Sequence, residues 1–182
     1  MGPGADAGHQ RRTIELSNTG HPPIVGSPLL LTWKDEQDTL AFAQRLAARP
    51  EIADAFIELR GDLGAGKTTF VRHLLRALGV PGHIKSPTYA IVEPHEGVHP
   101  VTGARIAASH FDFYRFDDPR EWEDAGFRDL FASSGLKLAE WPDKAAGLLP
   151  TADLRIGIEL AGESARSVTV LAGTPRGREM LA

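Results

Sequence analysis

One run of this sequence has the residue types and spacing to hold a chain of phosphates: Gly61-Asp62-Leu63-Gly64-Ala65-Gly66-Lys67-Thr68-Thr69. It fits the pattern G-x-x-x-x-G-K-[ST] without a mismatch. Wrapping a triphosphate takes backbone N–H groups at close range, and side chains would keep the backbone away. Gly61, Gly64 and Gly66 remove that obstacle and permit unusual backbone angles. Lys67 supplies a charge to the β- and γ-phosphates, and the hydroxyl of Thr68 can hold Mg²⁺. The chemistry expected here is capture of a nucleoside triphosphate with its metal.

That expectation depends on the flanking elements. Residues 55–60 have strand composition, and Phe70, Val71, Leu74, Leu75 and Leu78 follow the loop at helical spacing. Strand, glycine loop and helix would aim the positive end of the helix dipole at the phosphates. Further elements read along the chain. Residues 29–33 form a first strand, Asp35 caps a helix that ends before Pro50, and a strand lies near residues 89–92. Residues 94–103 are polar and rich in turn formers, which predicts a surface loop. Strands follow over 105–114 and 136–140, with short helices near 119–125 and 128–132 between them. Residues 154–160 and 167–171 read as a hairpin. The fold class expected is α/β: a three-layer P-loop NTPase-like domain on a mixed, mostly parallel sheet, with an antiparallel hairpin at its C-terminal end. It spans 29–182 as a single domain, and residues 1–28 read as an unstructured tail.

A phosphate loop names a binding site and not a reaction, so residues beyond it matter. Asp112 closes a strand, where an Asp can bind Mg²⁺ or simply open a turn. Thr88, with Ser86 on a Pro-stiffened segment, could reach the metal and γ-phosphate, or form a plain turn. Glu140 ends an apolar strand before Trp141-Pro142, an odd place for a charge unless it is paired or metal-linked. It could hold Mg²⁺, orient the attacking water, or lie solvated at an edge. Glu36 and Thr39 could rim the adenine, although a capping role for that segment is the simpler reading. Trp141 could stack on a base or a partner, or fill core; Tyr114 and Arg115 could reach phosphate or stay at the surface. The seven histidines show no metal spacing, and His83, His95, His99 and His110 read as loop and strand residues.

Composition narrows the class. The chain has 182 residues, enough for one domain with a real core, and its 42% hydrophobic content suits a globular protein rather than a disordered one. No run approaches the ~18 apolar residues of a membrane span. There is no Cys, which excludes a disulfide framework and a thiolate zinc site and fits a reducing cytoplasm. The N-terminus lacks a basic segment followed by an apolar core, so no secretory signal is expected. A net charge of −4 without any basic run argues that a nucleic-acid connection would run through a partner.

Several stretches in order resemble one family, the small bacterial ATPases of tRNA N6-threonylcarbamoyladenosine biosynthesis, TsaE (formerly YjeE). They are residues 61–69, Lys85-Ser86-Pro87-Thr88-Tyr89, His110-Phe111-Asp112-Phe113-Tyr114-Arg115 and Glu140-Trp141-Pro142, with Asp35-Glu36-Gln37 before the first helix. The glycine loop is shared by many families; the ordered set of the others is more specific. The resemblance implies a cytoplasmic ATPase that uses ATP and Mg²⁺ and works with TsaD-type and TsaB-type partners. The TsaD-type partner modifies adenosine 37 of tRNA, and ATP hydrolysis resets the complex between rounds. By position, Lys67 would contact the phosphates and Thr68 the Mg²⁺. Thr88 and Asp112 would complete the metal and switch shell, and Glu140 would sit by Mg²⁺ and the γ-phosphate. tRNA would be held mainly by the partners. Two other functions fit the loop: a small-molecule kinase, for which no Arg-bearing lid is visible, and a nucleotide-sensing module without turnover. No Asn-Lys-x-Asp motif supports guanine specificity.

Overall fold

Seven strands form one sheet: β1 (Leu29–Trp33), β2 (Phe56–Arg60), β3 (Val92–Val98), β4 (Arg105–Asp112), β5 (Leu136–Glu140), β6 (Leu154–Leu160) and β7 (Arg166–Ala172), in the order β1-β7-β6-β2-β5-β4-β3. The computed structural model describes residues 26–87 and 90–182, so the expected tail over 1–28 lies outside the described residues except at its very end. β2 pairs in parallel with β5 and β6, and β5 in parallel with β4. β3 joins β4, and β7 joins β6 and β1, antiparallel. The sheet is therefore mixed, with its parallel pairs at the centre and the C-terminal hairpin on one side.

Alternation along the strands divides the core between the two faces. Ile57 and Leu59 of β2 and Leu136 and Leu138 of β5 face α1 (Glu36–Ala47) and α2 (Lys67–Ala77). There Trp33, Phe42 and Phe70 tie β1, α1 and α2 together, with the Trp33 and Phe70 rings stacked at 5.9 Å. Phe56 and Ala139 face the other way, onto α3 (Pro119–Asp124) and α4 (Phe127–Ala132). Phe111, Phe113, Trp122, Phe127 and Phe131 fill that layer with edge and stacked ring contacts. Helices on both faces of a sheet are the three-layer arrangement expected. No described helix is long and apolar enough to cross a membrane.

Local signals account for most boundaries. Asp35 caps α1, its carboxylate accepting from the N–H groups of Gln37 and Asp38. The strand expected near 89–92 starts only at Val92 and continues to Val98, through residues expected to be a surface loop. The physical reason is position. β3 is an edge strand, where Pro94 can lack an N–H at little cost and where one face stays wet. Its polar composition is that of an edge, and only the turn after Val98 is loop.

One α-helix was not expected at all: α5 (Pro175–Leu181), capped by the Thr174 hydroxyl, which accepts from Gly177 N–H at 3.1 Å. It docks on buried Asp153, whose carboxylate accepts from Phe56 N–H at 2.7 Å and Thr174 Oγ1 at 2.6 Å. The docking is close enough that a Cβ on Gly177 would sit inside the van der Waals envelope of the Asp153 carbonyl. Gly177→Ala should therefore lower stability by about 2–3 kcal/mol, or ~5–10 °C in Tm for a chain of this size. Thermal melting checks this, and an unchanged Tm would show that α5 does not depend on the approach. Because α5 contacts β7 and the turn before β2, nucleotide binding well below Tm should be unaffected.

Candidate functional site

Parallel pairing decides which residues meet. β2, β4 and β5 run the same way, so Arg60, Asp112 and Glu140 arrive at one edge of the sheet, with Asp112 opposite Glu140 and Glu140 opposite Leu59. In open α/β sheets that edge, beyond the carboxyl ends of the strands, is where ligands bind. The loop leaves β2 there and feeds α2 at Lys67. Gly61 takes φ 148°, and a Cβ on it would collide with the carbonyl of Ile158 in β6. Gly66 takes φ 114° as the residue before α2. Neither conformation suits an L side chain. The unpaired N–H groups of the first turn of α2 are thereby presented at the loop, a ready anion site.

Lys67 is buried, and its ammonium donates to the carbonyls of Gly61 at 2.5 Å and Asp62 at 2.9 Å. Its Nζ also lies 4.3 Å from the centre of the Trp141 ring, which in turn packs on Tyr114 at 5.0 Å. Trp141 is, among the described residues, the one non-glycine with positive φ, at 55°. Backbone in that region is costly for a bulky residue and tends to occur at functional sites. Burial lowers the Lys67 pKa, outweighing the attraction of Glu140, Asp112 and Asp62.

The acidic side of the site is a network. Thr68 Oγ1 donates to Glu140 Oε1 at 2.7 Å. Ser86 Oγ lies 2.7 Å from Asp112 Oδ2 and 3.2 Å from Glu140 Oε2. His110 Nε2 lies 3.3 Å from Glu140 Oε2. Glu140 is 1% exposed, so the solvated-edge reading of this residue fails. Burial pushes its pKa up, yet hydrogen bonds and charge from His110, with Thr68 and Ser86, outweigh this and hold the carboxylate below the usual range. Asp112 does open a turn, its Oδ1 accepting from the Tyr114 N–H, while its Oδ2 accepts from Ser86 Oγ and faces the cleft.

The structure thus brings Leu63, Gly64, Gly66, Lys67, Thr68 and Thr69 together with Asp112 and Glu140 around one cleft of about 350 Å³. Ser86, Tyr114 and Trp141 complete its wall. Gly61 and Asp62 hold Lys67 from behind, and Ala65 is buried with its carbonyl accepting from Arg166 Nε at 2.7 Å. Glu36 and Thr39 do not line this cleft: Glu36 pairs with His73 of α2 at 2.8 Å, and Thr39 is buried in α1. Thr88 lies outside the described residues. Arg166 and His110 were missed. Nothing local marks Arg166, which reaches the loop from β7 only through the fold. His110 could have been found, since period-two alternation puts it on the same face as Asp112. A larger cavity of about 640 Å³ opens at the opposite edge, lined by Asp54, Gly97, Arg105 and Gly135 among others. Size does not select it, because the amide cradle, Lys67 and the carboxylates all lie at the other end.

The candidate metal donors, Thr68 Oγ1, Asp112 and Glu140, are all oxygen, which suits a hard cation such as Mg²⁺. Among the described residues no group of three His, Cys, Asp or Glu could hold a metal by itself.

Comparison with known proteins leads to the same family. The family model described as "Threonylcarbamoyl adenosine biosynthesis protein TsaE" matches residues 33–168, a span that holds the loop, Asp112 and Glu140. A Haemophilus influenzae protein described as tRNA threonylcarbamoyladenosine biosynthesis protein TsaE is 41% identical over 125 residues, covering 69% of this chain and 75% of that protein. A Bacillus subtilis protein of the same description is 37% identical over 145 residues, covering 78% and 85%. The crystal structure of B. subtilis YdiB superposes with a TM-score of 0.63 at 28% identity, covering 85% of this chain and 92% of that one. The chain belongs to the TsaE family of threonylcarbamoyl adenosine biosynthesis proteins.

Proposed function

We propose that this protein binds ATP with Mg²⁺ and hydrolyses it, and that hydrolysis resets a complex of TsaB-type and TsaD-type partners between rounds of tRNA modification. The observation that carries the reading is the 2.7 Å contact between Thr68 of the loop and Glu140, buried beside Lys67. The loop amides and the Lys67 ammonium bind the phosphates, and Trp141, packed on Tyr114, walls that side of the cleft. Mg²⁺, when bound, offsets charge on the β- and γ-phosphates and aligns them. The Thr68 hydroxyl has one hydrogen, which goes to Glu140, and so keeps its lone pairs for the cation. Both Glu140 oxygens already accept hydrogen bonds, which favours a supporting role over abstraction of a proton from water. Asp112 supplies a second carboxylate to the cation, and the resemblance places Thr88 with it in the metal and switch shell. A net charge of −4 suits a subunit that meets tRNA mainly through its partners, in the cytoplasm.

The test is phosphate release from ATP by the purified protein, alone and with TsaB-type and TsaD-type proteins. Slow release alone and a clear rise with both partners is the expected result. ATP binding without release in the full complex would replace this reading with a nucleotide sensor, and a phosphorylated small molecule would replace it with a kinase.

A further inference from the structure

We infer that His110 is a positioning residue for the metal side of this site, fixing Glu140 and through it the orientation of the Thr68 hydroxyl. Glu140 Oε2 has two neighbours able to donate, Ser86 Oγ and His110 Nε2. A serine hydroxyl carries one hydrogen, and Ser86 lies closer to Asp112, at 2.7 Å against 3.2 Å for Glu140. His110 is therefore the dedicated donor to Oε2. Its ring is fully buried on β4, so packing holds it in place. Nδ1 has no hydrogen-bond partner among the described residues, which leaves Glu140 as the ring's hydrogen-bonding commitment. With Oε2 tied to His110, Oε1 is turned to Thr68 and takes its single proton. The lone pairs of Thr68 Oγ1 are then directed away from Glu140, toward the cleft. Groups that orient a ligand in this way commonly change metal affinity by about 10–100-fold when removed.

The inference rests on reading the cleft as a Mg²⁺–nucleotide site, and the experiment separates the two. Binding of a fluorescent ATP analogue is titrated with Mg²⁺ for wild type, His110→Phe and His110→Gln, with thermal melts on each. Phe keeps a buried ring without a donor, and Gln returns an N–H at about the same reach. In His110→Phe the Mg²⁺ needed for half-maximal binding should rise about 10-fold while binding in EDTA stays at the wild-type level. His110→Gln should recover most of the loss. A folded His110→Phe with the wild-type Mg²⁺ requirement overturns the inference, as does an equal shift in Phe and Gln, which would make ring packing the cause. Should His110→Phe not fold, His110→Asn replaces it, because its amide stops short of Glu140; Asn shifted and Gln not supports the inference, and equal behaviour overturns it. Absence of Mg²⁺-dependent binding by wild type would instead sink the nucleotide reading itself.

Discussion

Glu140→Gln is expected to lower phosphate release by about 100-fold while leaving Mg²⁺-free nucleotide binding close to wild type. The argument starts from the acceptors. Glu140 Oε1 accepts from Thr68 and Oε2 from His110, with Ser86 close by. Glutamine has the same size but presents one oxygen and one NH₂ group. Whichever way the amide is turned, one of the two groups that donate to Glu140 must become an acceptor. Turned with NH₂ toward Thr68, it drives the hydroxyl hydrogen elsewhere and occupies a lone pair that the proposed cation would use. Turned the other way, it leaves His110 facing NH₂ in a place closed to water. The negative charge is lost in either orientation, and it is a charge the site holds firmly, since the carboxylate stays below the usual range despite burial. Steady-state phosphate release with the partners present, next to nucleotide titrations with and without Mg²⁺, checks the prediction. Wild-type release by a folded Glu140→Gln protein would remove this residue from the mechanism.

Lys67→Ala should abolish measurable nucleotide binding at concentrations that saturate wild type and reduce phosphate release by roughly 1,000-fold. The ammonium is held in the loop by Gly61 and Asp62 carbonyls and covered by Trp141, so it is set in place before a phosphate arrives. Alanine removes the charge and leaves both carbonyls without that donor. Lys67→Arg should rescue poorly, because a planar guanidinium does not fit a point-charge site closed by an indole ring. A pH signature accompanies this. Burial holds Lys67 below the ordinary lysine pKa, so the charge is lost as pH rises before an unperturbed lysine would lose it. Nucleotide affinity should fall on the alkaline side below that ordinary range. Affinity in Lys67→Ala equal to wild type would overturn the role assigned to this residue.

How much of the site was legible depended on distance along the chain. Residues 61–69 could be read because everything the motif needs, the strand before it and the helix after it, adjoins it in the chain. The Asp35 cap, β5 and the β6–β7 hairpin were legible for the same reason: cap, apolar run and turn are local signals. β3 was misjudged because Pro94 and its polar neighbours describe both a loop and an edge strand, and only pairing with β4 separates them. α5 was passed over because a Thr-Pro start on so short a helix carries little weight until Asp153 and Gly177 show what it packs against. Glu36 illustrates the reverse: its place just after the first strand left an adenine contact and a capping role open, and the fold adds a 2.8 Å contact to His73 that its neighbours in sequence do not announce.

The sequence alone determined that a loop of phosphate-binding pattern sits between a strand and a helix, and that three separated stretches carry the residues of one family. Tertiary structure decided which of those residues form a site. Thr68 and Glu140 are far apart in the chain and are brought to 2.7 Å because β2 and β5 are parallel neighbours whose carboxyl ends share an edge. Whether Glu140 was a solvated edge residue or a buried, hydrogen-bonded carboxylate could not be read from its own neighbours in sequence. Burial and hydrogen bonding belong to the packed sheet, where β4 supplies His110 and Asp112, and the segment after α2 supplies Ser86. Strand order and register are long-range properties, and they turn a list of plausible ligands into a geometry.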